Sequence, residues 1–179
     1  MRKLLGRLIR ERRGAVAIEM AFVGPPFLLT LLSIVELGLI LTTQALLDGA
    51  TRDAARLIRT GQVSTAGNTI STFQTLICND MSMLLTTATC TNNVLIDVVS
   101  SPTATNFAGL TFAACASNAG SGGPNPCPFS AGNPGDIVAV QVSYQRPFII
   151  PWVGNLLSVA SDSQHVLLQS NVAFRNEPF

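Results

Sequence analysis

One long apolar run dominates the first quarter of the chain. Between Met20 and Leu41, the only polar residues are Thr30, Ser33 and Glu36. At about 1.5 Å per residue, a helix of this length extends roughly 33 Å, which is close to the ~30 Å hydrocarbon thickness of a bilayer. The run therefore predicts a membrane-spanning helix over about residues 20–41.

Helical periodicity continues past this run. Apolar residues recur at three- and four-residue spacing as far as Ile58, and Gly61 is a typical position for a helix stop. We predict one helix from about Ala15 to Thr60. Pro25 and Pro26 lie inside it and predict a kink or local melting, because proline removes a backbone hydrogen bond and clashes with the preceding turn. The alternative is that both prolines are tolerated, as in many membrane helices.

Shorter elements are predicted in the rest of the chain. Apolar residues at helical spacing predict an amphipathic helix over about residues 70–85, and alternation predicts strands over 138–144 and 166–174. Residues 94–100 are a third strand candidate, and the glycine- and proline-rich stretch 115–136 is typical of a long loop. This order of elements indicates a small α+β unit of one short helix and about three antiparallel strands.

The charges are unevenly distributed. Residues 1–14 contain six basic residues and one acidic residue, whereas residues 15–179 contain five basic and nine acidic ones. A basic flank ahead of a membrane span keeps that flank in the cytoplasm, so the remainder is expected in the periplasm. The flank does not indicate a nucleic-acid partner, because it adjoins an apolar helix and the rest is mildly acidic. We predict a basic leader (1–14), a long helix (15–60) and a periplasmic head (61–179).

Four cysteines lie beyond the apolar run: Cys78, Cys90, Cys115 and Cys127. An even number in an oxidising compartment indicates two disulfides, for which three connectivities are possible. The equal 12-residue separations favour Cys78–Cys90 and Cys115–Cys127. The alternative is four free buried thiols. A zinc site is disfavoured, because no pair has the short spacing of zinc ligands.

No residue pattern indicates catalysis. We find no phosphate-binding glycine loop and no catalytic pair of carboxylates, and nothing indicates a cofactor or a metal. His165, the only histidine, lies in an alternating strand and is expected at a surface or edge position. An apolar excursion around Phe148, Ile149 and Ile150 includes the only tryptophan, Trp152. It is either a contact patch for another subunit or part of the core.

Two carboxylates lie in or beside the apolar run. An unpaired carboxylate in lipid costs a few kcal/mol or more, so Glu19 is expected to need a partner. If a protease cuts after Gly14, Ala15 gains a free α-amine, which the Glu19 carboxylate of a neighbouring subunit could meet. Alternatively, Glu19 lies among the headgroups of the cytoplasmic interface. Glu36 is expected near the outer interface, with contact to another helix as the alternative.

The order of these features resembles a known family. A basic leader, Gly14, four residues, Glu19 and a long apolar helix are similar to the N-terminus of TadE-like proteins, which are minor pilins (pseudopilins) of the Tad/Flp pilus. The resemblance is strongest over residues 12–62 and 136–179. The ending Phe174–Phe179 belongs to the second of these stretches and is similar to an ending common in the family.

The resemblance implies a minor pilin precursor and not an enzyme. Such precursors are inserted in the bacterial inner membrane with the N-terminus in the cytoplasm, and a prepilin peptidase cleaves after the glycine that matches Gly14. The mature chain then joins or primes a pilus for surface adherence. Its implied partners are major and minor pilins, the inner-membrane platform of the pilus and the lipid bilayer. The carboxylate matching Glu19 is tied to subunit registration, and Met20 fits a minor subunit because an aromatic residue commonly follows that Glu in major pilins.

Two other functions are left open by the residues. A single-span, membrane-anchored periplasmic protein with a binding or enzymatic head would keep an uncleaved N-terminus at Met1. A pseudopilin of a general secretion apparatus would usually carry Phe directly after the cleaved glycine, and Ala15 argues against it. In each case the expected fold is α+β, with a long transmembrane helix kinked near Pro25-Pro26 that projects into a small periplasmic head with two disulfides.

Overall fold

The computed structural model describes residues 12–63, 70–102, 110–112, 127–150, 153–155 and 164–178. The elements within these ranges are helix α1 (Arg12–Arg59), helix α2 (Ile70–Asp80), a 3-10 turn (Met81–Met83), helix α3 (Thr87–Asn93) and strands β1 (Val94–Ser101), β2 (Ile137–Pro147) and β3 (His165–Arg175). The three strands form one antiparallel sheet in the order β1-β2-β3. This arrangement confirms the predicted α+β class and the three predicted strands.

Helix α1 confirms the predicted long helix. Its range is Arg12–Arg59. It starts three residues before the predicted start and ends one residue before the predicted end. The turn that follows depends on Gly61, whose φ is +73°. The backbone N–H of Gly61 donates to the carbonyl of Ile58 (3.0 Å) and that of Gln62 to the carbonyl of Leu57 (2.9 Å). Two carbonyls at the helix end are thereby satisfied, as the predicted glycine stop requires.

The helix is continuous through Pro25 and Pro26. No local melting is observed there, and a kink stays a prediction. Because proline has no N–H, the carbonyls of Ala21 and Phe22 lack their usual donors four residues later. This turn therefore lacks two backbone hydrogen bonds of a regular helix.

The chain divides into two compact units, Met1–Leu39 and Ile40–Phe179. The described part of the first unit consists of α1 residues alone. In the second unit, the last 20 residues of α1 belong with the sheet. The division lies inside α1, well before residue 61, because side chains from Ile40 onward contribute to the core of the second unit.

The core of the second unit lies between one side of α1, helix α2 and the inner face of the sheet. Its buried members include Leu47, Ala50, Ala54 and Ile58 of α1, Phe73 and Ile77 of α2, and Ile96, Val98, Val138, Val140 and Val142 of the sheet. The α1 members are spaced as one face of a helix, and the valines alternate along β2 as predicted. Burial of such side chains stabilises the unit by about 25 cal/mol per Å² of apolar surface.

The described residues of the unit include helices α2 and α3 and a 3-10 turn, so the prediction of one short helix is wrong. The helix predicted over residues 70–85 ends at Asp80, and α3 follows within the next turns. The sequence of α3 is rich in threonine and has no apolar periodicity, so no pattern indicated a helix there. Thr86 stabilises its start, because the hydroxyl of Thr86 accepts a hydrogen bond from the backbone N–H of Thr89 (3.3 Å).

One disulfide is found where the sequence predicted two. Cys78 of α2 is bonded to Cys90 of α3, and their Cα atoms are 5.6 Å apart. This confirms one of the two favoured pairs and joins the two short helices covalently. Cys115 lies outside the described residues, so its pairing with Cys127 stays a prediction. Cys127 is buried.

Candidate membrane helix and assembly site

The N-terminal part of α1 is apolar on every side and exposed. From Val16 to Val35, its large apolar side chains are 44% to 78% exposed, with the highest value at Phe22. Soluble monomers rarely expose apolar patches of this extent, and a helix that is apolar all round belongs in a protein core or a membrane. Among the described helices, α1 is the one that is long and apolar enough to cross a bilayer. It is therefore a candidate membrane anchor.

The exposed run has the length of a bilayer core. Val16–Val35 comprises 20 residues, which rise about 30 Å as a helix. The next residue, Glu36, is only 1% exposed. The run starts four residues before the start of the span expected from hydropathy, and it ends six residues before the end of that span. The bounds of the span stay a prediction, since Leu37 and Leu41, beyond Glu36, are also exposed (41% and 68%).

The residues predicted for processing and registration lie together at the start of α1. Gly14 and Glu19 are both exposed, and Ala15 lies between them in the helix. Ala15 and Glu19 are one helical turn apart, about 6 Å along the axis. Within the part of the chain that the structure describes, no hydrogen bond or ion pair reaches Glu19. A cut after Gly14 would create a cation one turn from this carboxylate.

Two hydroxyl groups share the side of α1 that carries Glu19. At 100° per residue, Thr30 and Ser33 lie within about 40° of Glu19 around the helix axis. The Thr30 hydroxyl donates to the carbonyl of Pro26 (2.8 Å), and the Ser33 hydroxyl donates to the carbonyl of Leu29 (2.7 Å). Both donors are satisfied inside the helix, as lipid surroundings require. Glu19 is therefore the group on this side that is left for a partner.

Glu36 lies on another side of the helix. It follows Glu19 by 17 residues and is rotated by about 100° from it. Thr43 and Leu47, seven and eleven residues further on, are buried as Glu36 is. The expected position of Glu36 near the outer interface and its contact with another helix both stay predictions. Its burial leaves little of its side chain for another subunit.

Two contacts tie the last 20 residues of α1 to β3 and the tail that follows it. The Gln44 amide donates to the carbonyl of Gln169 (2.9 Å) and to the carboxylate of Asp48 (3.2 Å). At the other end, the Arg59 guanidinium lies 3.0 Å from the carboxylate of Glu177, whose backbone N–H donates to the carbonyl of Arg59 (3.0 Å). The second bond satisfies another carbonyl at the end of α1.

The tail also closes on the turn that precedes β2. The Asn176 amide donates to the carbonyls of Ala131 (2.9 Å) and Asn133 (3.1 Å), and its backbone N–H donates to the carbonyl of Asp136. Gly132 in this turn has a φ of +71°, and a Cβ there would lie 2.9 Å from the Cβ of Ser100. The turn therefore requires glycine, and the buried Asn176 amide supplies the donors that its carbonyls need.

The remaining ionisable groups form no reactive arrangement in the described part of the chain. No group of three or more His, Cys, Asp and Glu side chains could hold a metal ion there. His165 is the first residue of β3 and is half-buried. Burial raises the pKa of the Tyr144 hydroxyl, against the opposing effect of the Arg146 charge, so this phenol stays neutral at physiological pH.

Some of these contacts were missed by the sequence pattern. Gln44, Asn176 and Glu177 join α1 to distant segments, and no periodicity marks such polar contacts. The resemblance of Phe174–Phe179 to a common ending was the one signal that could have found the tail. It pointed to the segment but did not indicate its contacts.

A comparison with known families identifies the N-terminal region. Residues 14–56 match the family model described as TadE-like protein. This segment is TadE-like. No curated protein and no solved structure matches the chain at a significant level.

The TadE-like match confirms the resemblance at the N-terminus. It begins at Gly14, includes Glu19 and Glu36, and ends at Arg56, near the end of α1. The match does not extend to residues 136–179, so the resemblance of that stretch stays a prediction.

Proposed function

We propose that this chain is the precursor of a minor pilin, or pseudopilin, of a Tad/Flp-type pilus. One observation carries the proposal: the TadE-like match begins at Gly14 and covers a helix whose apolar side chains are exposed from Val16 to Val35. Such a surface is suited to lipid before assembly and to neighbouring helices after it. The pilus it serves is one for surface adherence.

The charge distribution supports one orientation. The basic residues of the leader, 1–14, favour a cytoplasmic N-terminus, which puts the head in the periplasm. The Cys78–Cys90 disulfide fits that assignment, because disulfides form and persist in oxidising compartments. The inner membrane is therefore the proposed location of the precursor, with later entry into the pilus.

Processing supplies the charge that assembly uses. A prepilin peptidase hydrolyses the bond between Gly14 and Ala15, which leaves a carboxylate on Gly14 and an α-ammonium on Ala15. Glu19 lies exposed one turn further along the helix. When helices of neighbouring pilins stack with a stagger, the Glu19 carboxylate of one subunit meets the α-ammonium of the next, and the pair neutralises two charges in an apolar setting. Major and minor pilins and the inner-membrane platform are the partners.

The mass of the N-terminal peptide tests this function. The protein is extracted from membranes of cells with and without the prepilin peptidase. A start at Ala15 that depends on the peptidase is the expected result. A start at Met1 in both strains would contradict it and would leave a membrane-anchored periplasmic protein of another function.

A further inference from the structure

The carbonyl of Phe22 lacks both of its backbone donors. In an α-helix, a carbonyl accepts from the N–H four residues later, or from the N–H three residues later where the helix tightens. For Phe22 these positions are Pro26 and Pro25, and neither proline has an N–H. The carbonyl of Ala21 differs, because Gly24, three residues later, retains an N–H. The two consecutive prolines therefore leave the carbonyl of Phe22 with no donor at either position.

No side chain of α1 replaces the missing donors in the described part of the chain. The polar side chain within residues 16–24 is that of Glu19, which as a carboxylate is an acceptor. The next hydroxyls, on Thr30 and Ser33, each donate to the carbonyl four residues before them. An unsatisfied carbonyl is costly in hydrocarbon, and in membrane helices that contain proline a neighbouring helix can supply the donor. The Phe22 carbonyl is therefore an acceptor that another molecule can use.

This carbonyl lies on the side of the helix that carries Glu19, and both residues are exposed. A helical carbonyl points toward the residue four positions later, so the Phe22 oxygen lies between the directions of Phe22 and Pro26 around the axis. At about 100° per residue, these directions are about 60° and 20° from that of Glu19. The same reasoning puts the Ala21 oxygen about 120° to 160° from Glu19. A group bound by Glu19 is therefore on the side of the Phe22 carbonyl and not of the Ala21 carbonyl.

We propose that the Phe22 carbonyl is a second acceptor for the α-ammonium of the neighbouring pilin, beside the Glu19 carboxylate. The inference rests on the proposed function, because cleavage of a prepilin creates that ammonium. Phe22 follows Glu19 by about 4.5 Å of helix rise. Hydrogen bonds of about 2.8 Å let one nitrogen join two oxygens up to roughly 5.5 Å apart. An ammonium has three N–H donors, so it can bond to the carboxylate and to the carbonyl together.

The two acceptors favour an ammonium over a neutral donor. Residues 15–24, which remain after cleavage, carry one carboxylate and no cationic side chain. A hydroxyl or a water molecule would bond to the carbonyl but would leave the Glu19 charge without a counterion in an apolar setting. The α-ammonium neutralises that charge and satisfies the carbonyl of Phe22. The two prolines thus serve assembly, because they keep this oxygen available.

The two prolines provide a matched test in cells. Pro26→Ala restores an N–H that donates to the Phe22 carbonyl and so removes the acceptor. Pro25→Ala makes the same chemical change, but its N–H donates to the Ala21 carbonyl on another side of the helix. We expect Pro26→Ala to lower the number of pili several-fold, though less than Glu19→Ala, and Pro25→Ala to leave it unchanged. Pili are counted by electron microscopy, and cleavage and membrane insertion are measured in the same cells.

The carbonyl itself can be observed by NMR. Phe22–Val23 is the only Phe–Val pair in the chain, so carbonyl-¹³C Phe combined with ¹⁵N Val selects this one carbonyl. The full chain, cleaved after Gly14, is placed in detergent micelles, and purified mature major pilin is added. We expect the carbonyl signal to shift. It should stay in place when the added pilin has an acetylated N-terminus, which lacks the charge.

Three results would overturn the inference while leaving the proposed function intact. Equal numbers of pili with the wild-type chain and with Pro26→Ala would show that the carbonyl is not used. Equal losses with Pro25→Ala and Pro26→Ala would show that the prolines act through the shape of the helix. No shift of the carbonyl signal, or the same shift with acetylated pilin, would exclude the ammonium as its donor. A wild-type chain that starts at Met1 in the presence of the peptidase would instead contradict the proposed function.

Discussion

The two parts of α1 are built for two different surroundings. Before Leu39, apolar side chains point in every direction and are exposed. From Ile40 onward, apolar side chains such as Leu47 and Ala54 are buried on one side, while Arg52 and Arg56 are exposed on another. One continuous helix thus carries an all-round apolar pattern and then a stripe. The difference teaches that a helix is assigned to lipid or protein by how its apolar residues are distributed, and not by helical propensity.

The largest effect is expected for Glu19, whose replacement should lower the number of pili but leave membrane insertion unchanged. Replacing Glu19 by Ala should lower piliation several-fold, because the α-ammonium of the neighbouring subunit loses its partner. Membrane insertion and cleavage after Gly14 should be unchanged. Pili are counted by electron microscopy, and the N-terminal mass is measured in the same cells. Cells with the matched variant Thr30→Ala, on the same side of the helix, should form a normal number of pili. A normal number of pili with Glu19→Ala would contradict the pairing of Glu19 with the α-ammonium.

Two leucines, one in each part of α1, should differ in their contribution to the free energy of unfolding of the head. Leu47 is fully buried, whereas Leu28 is 57% exposed. Leu47→Ala should lower the free energy of unfolding of the head by about 2–5 kcal/mol, because it removes apolar contacts and leaves a cavity. Leu28→Ala should leave that free energy unchanged. Denaturant unfolding in detergent, followed by Trp152 fluorescence, measures both, and equal losses would mean that the division within α1 is misplaced.

A charged substitution at Leu28 should affect membrane insertion, although Leu28→Ala leaves the stability of the head unchanged. Leu28→Arg puts a charge near the middle of the exposed run and should cost about 2.5–3.5 kcal/mol of membrane insertion. The fraction of protein that resists carbonate extraction measures the loss. Arg at Met83, which is exposed on the head, is the control and should insert normally. Full insertion of Leu28→Arg would argue against a span centred near this residue.

A smaller effect is expected where the tail closes the head. Asn176→Ala should cost about 1–3 kcal/mol of unfolding free energy, because the buried carbonyl of Ala131 and the part-buried carbonyl of Asn133 lose their donors. Denaturant unfolding provides the measurement, and insertion should not change. An unaltered midpoint would mean that water replaces the amide at both carbonyls.

The smallest effect is expected at the neighbouring ion pair. The Arg59 and Glu177 side chains are about half exposed, so Arg59→Ala should cost no more than about 1 kcal/mol. The backbone hydrogen bond from Glu177 to Arg59 should persist, since it does not depend on the side chain. Thermal unfolding at low and high salt measures the change. A loss as large as that of Asn176→Ala would show that the ion pair holds the tail as strongly as the amide does.

Periodicity was sufficient for the regular elements. The alternation of Val138, Val140 and Val142 predicted β2, and the apolar spacing up to Ile58 with Gly61 beyond it predicted the extent of α1. These patterns work because side-chain direction repeats every 2 residues in a strand and every 3.6 in a helix. Helix α3 carries neither pattern, and its threonines form a helix because Thr86 caps it and Cys90 is bonded to Cys78.

By itself, the sequence determined the long helix, with its apolar and charged parts, and the three strands. It also determined that Ala15, directly after Gly14, lies one helical turn from Glu19. All of these follow from composition and local spacing. The tertiary structure alone decided that the head begins inside α1, that Glu36 is buried while Glu19 is exposed, and that Asn176 closes the turn before β2. These outcomes depend on contacts between residues far apart in the chain, which local patterns of polarity do not encode.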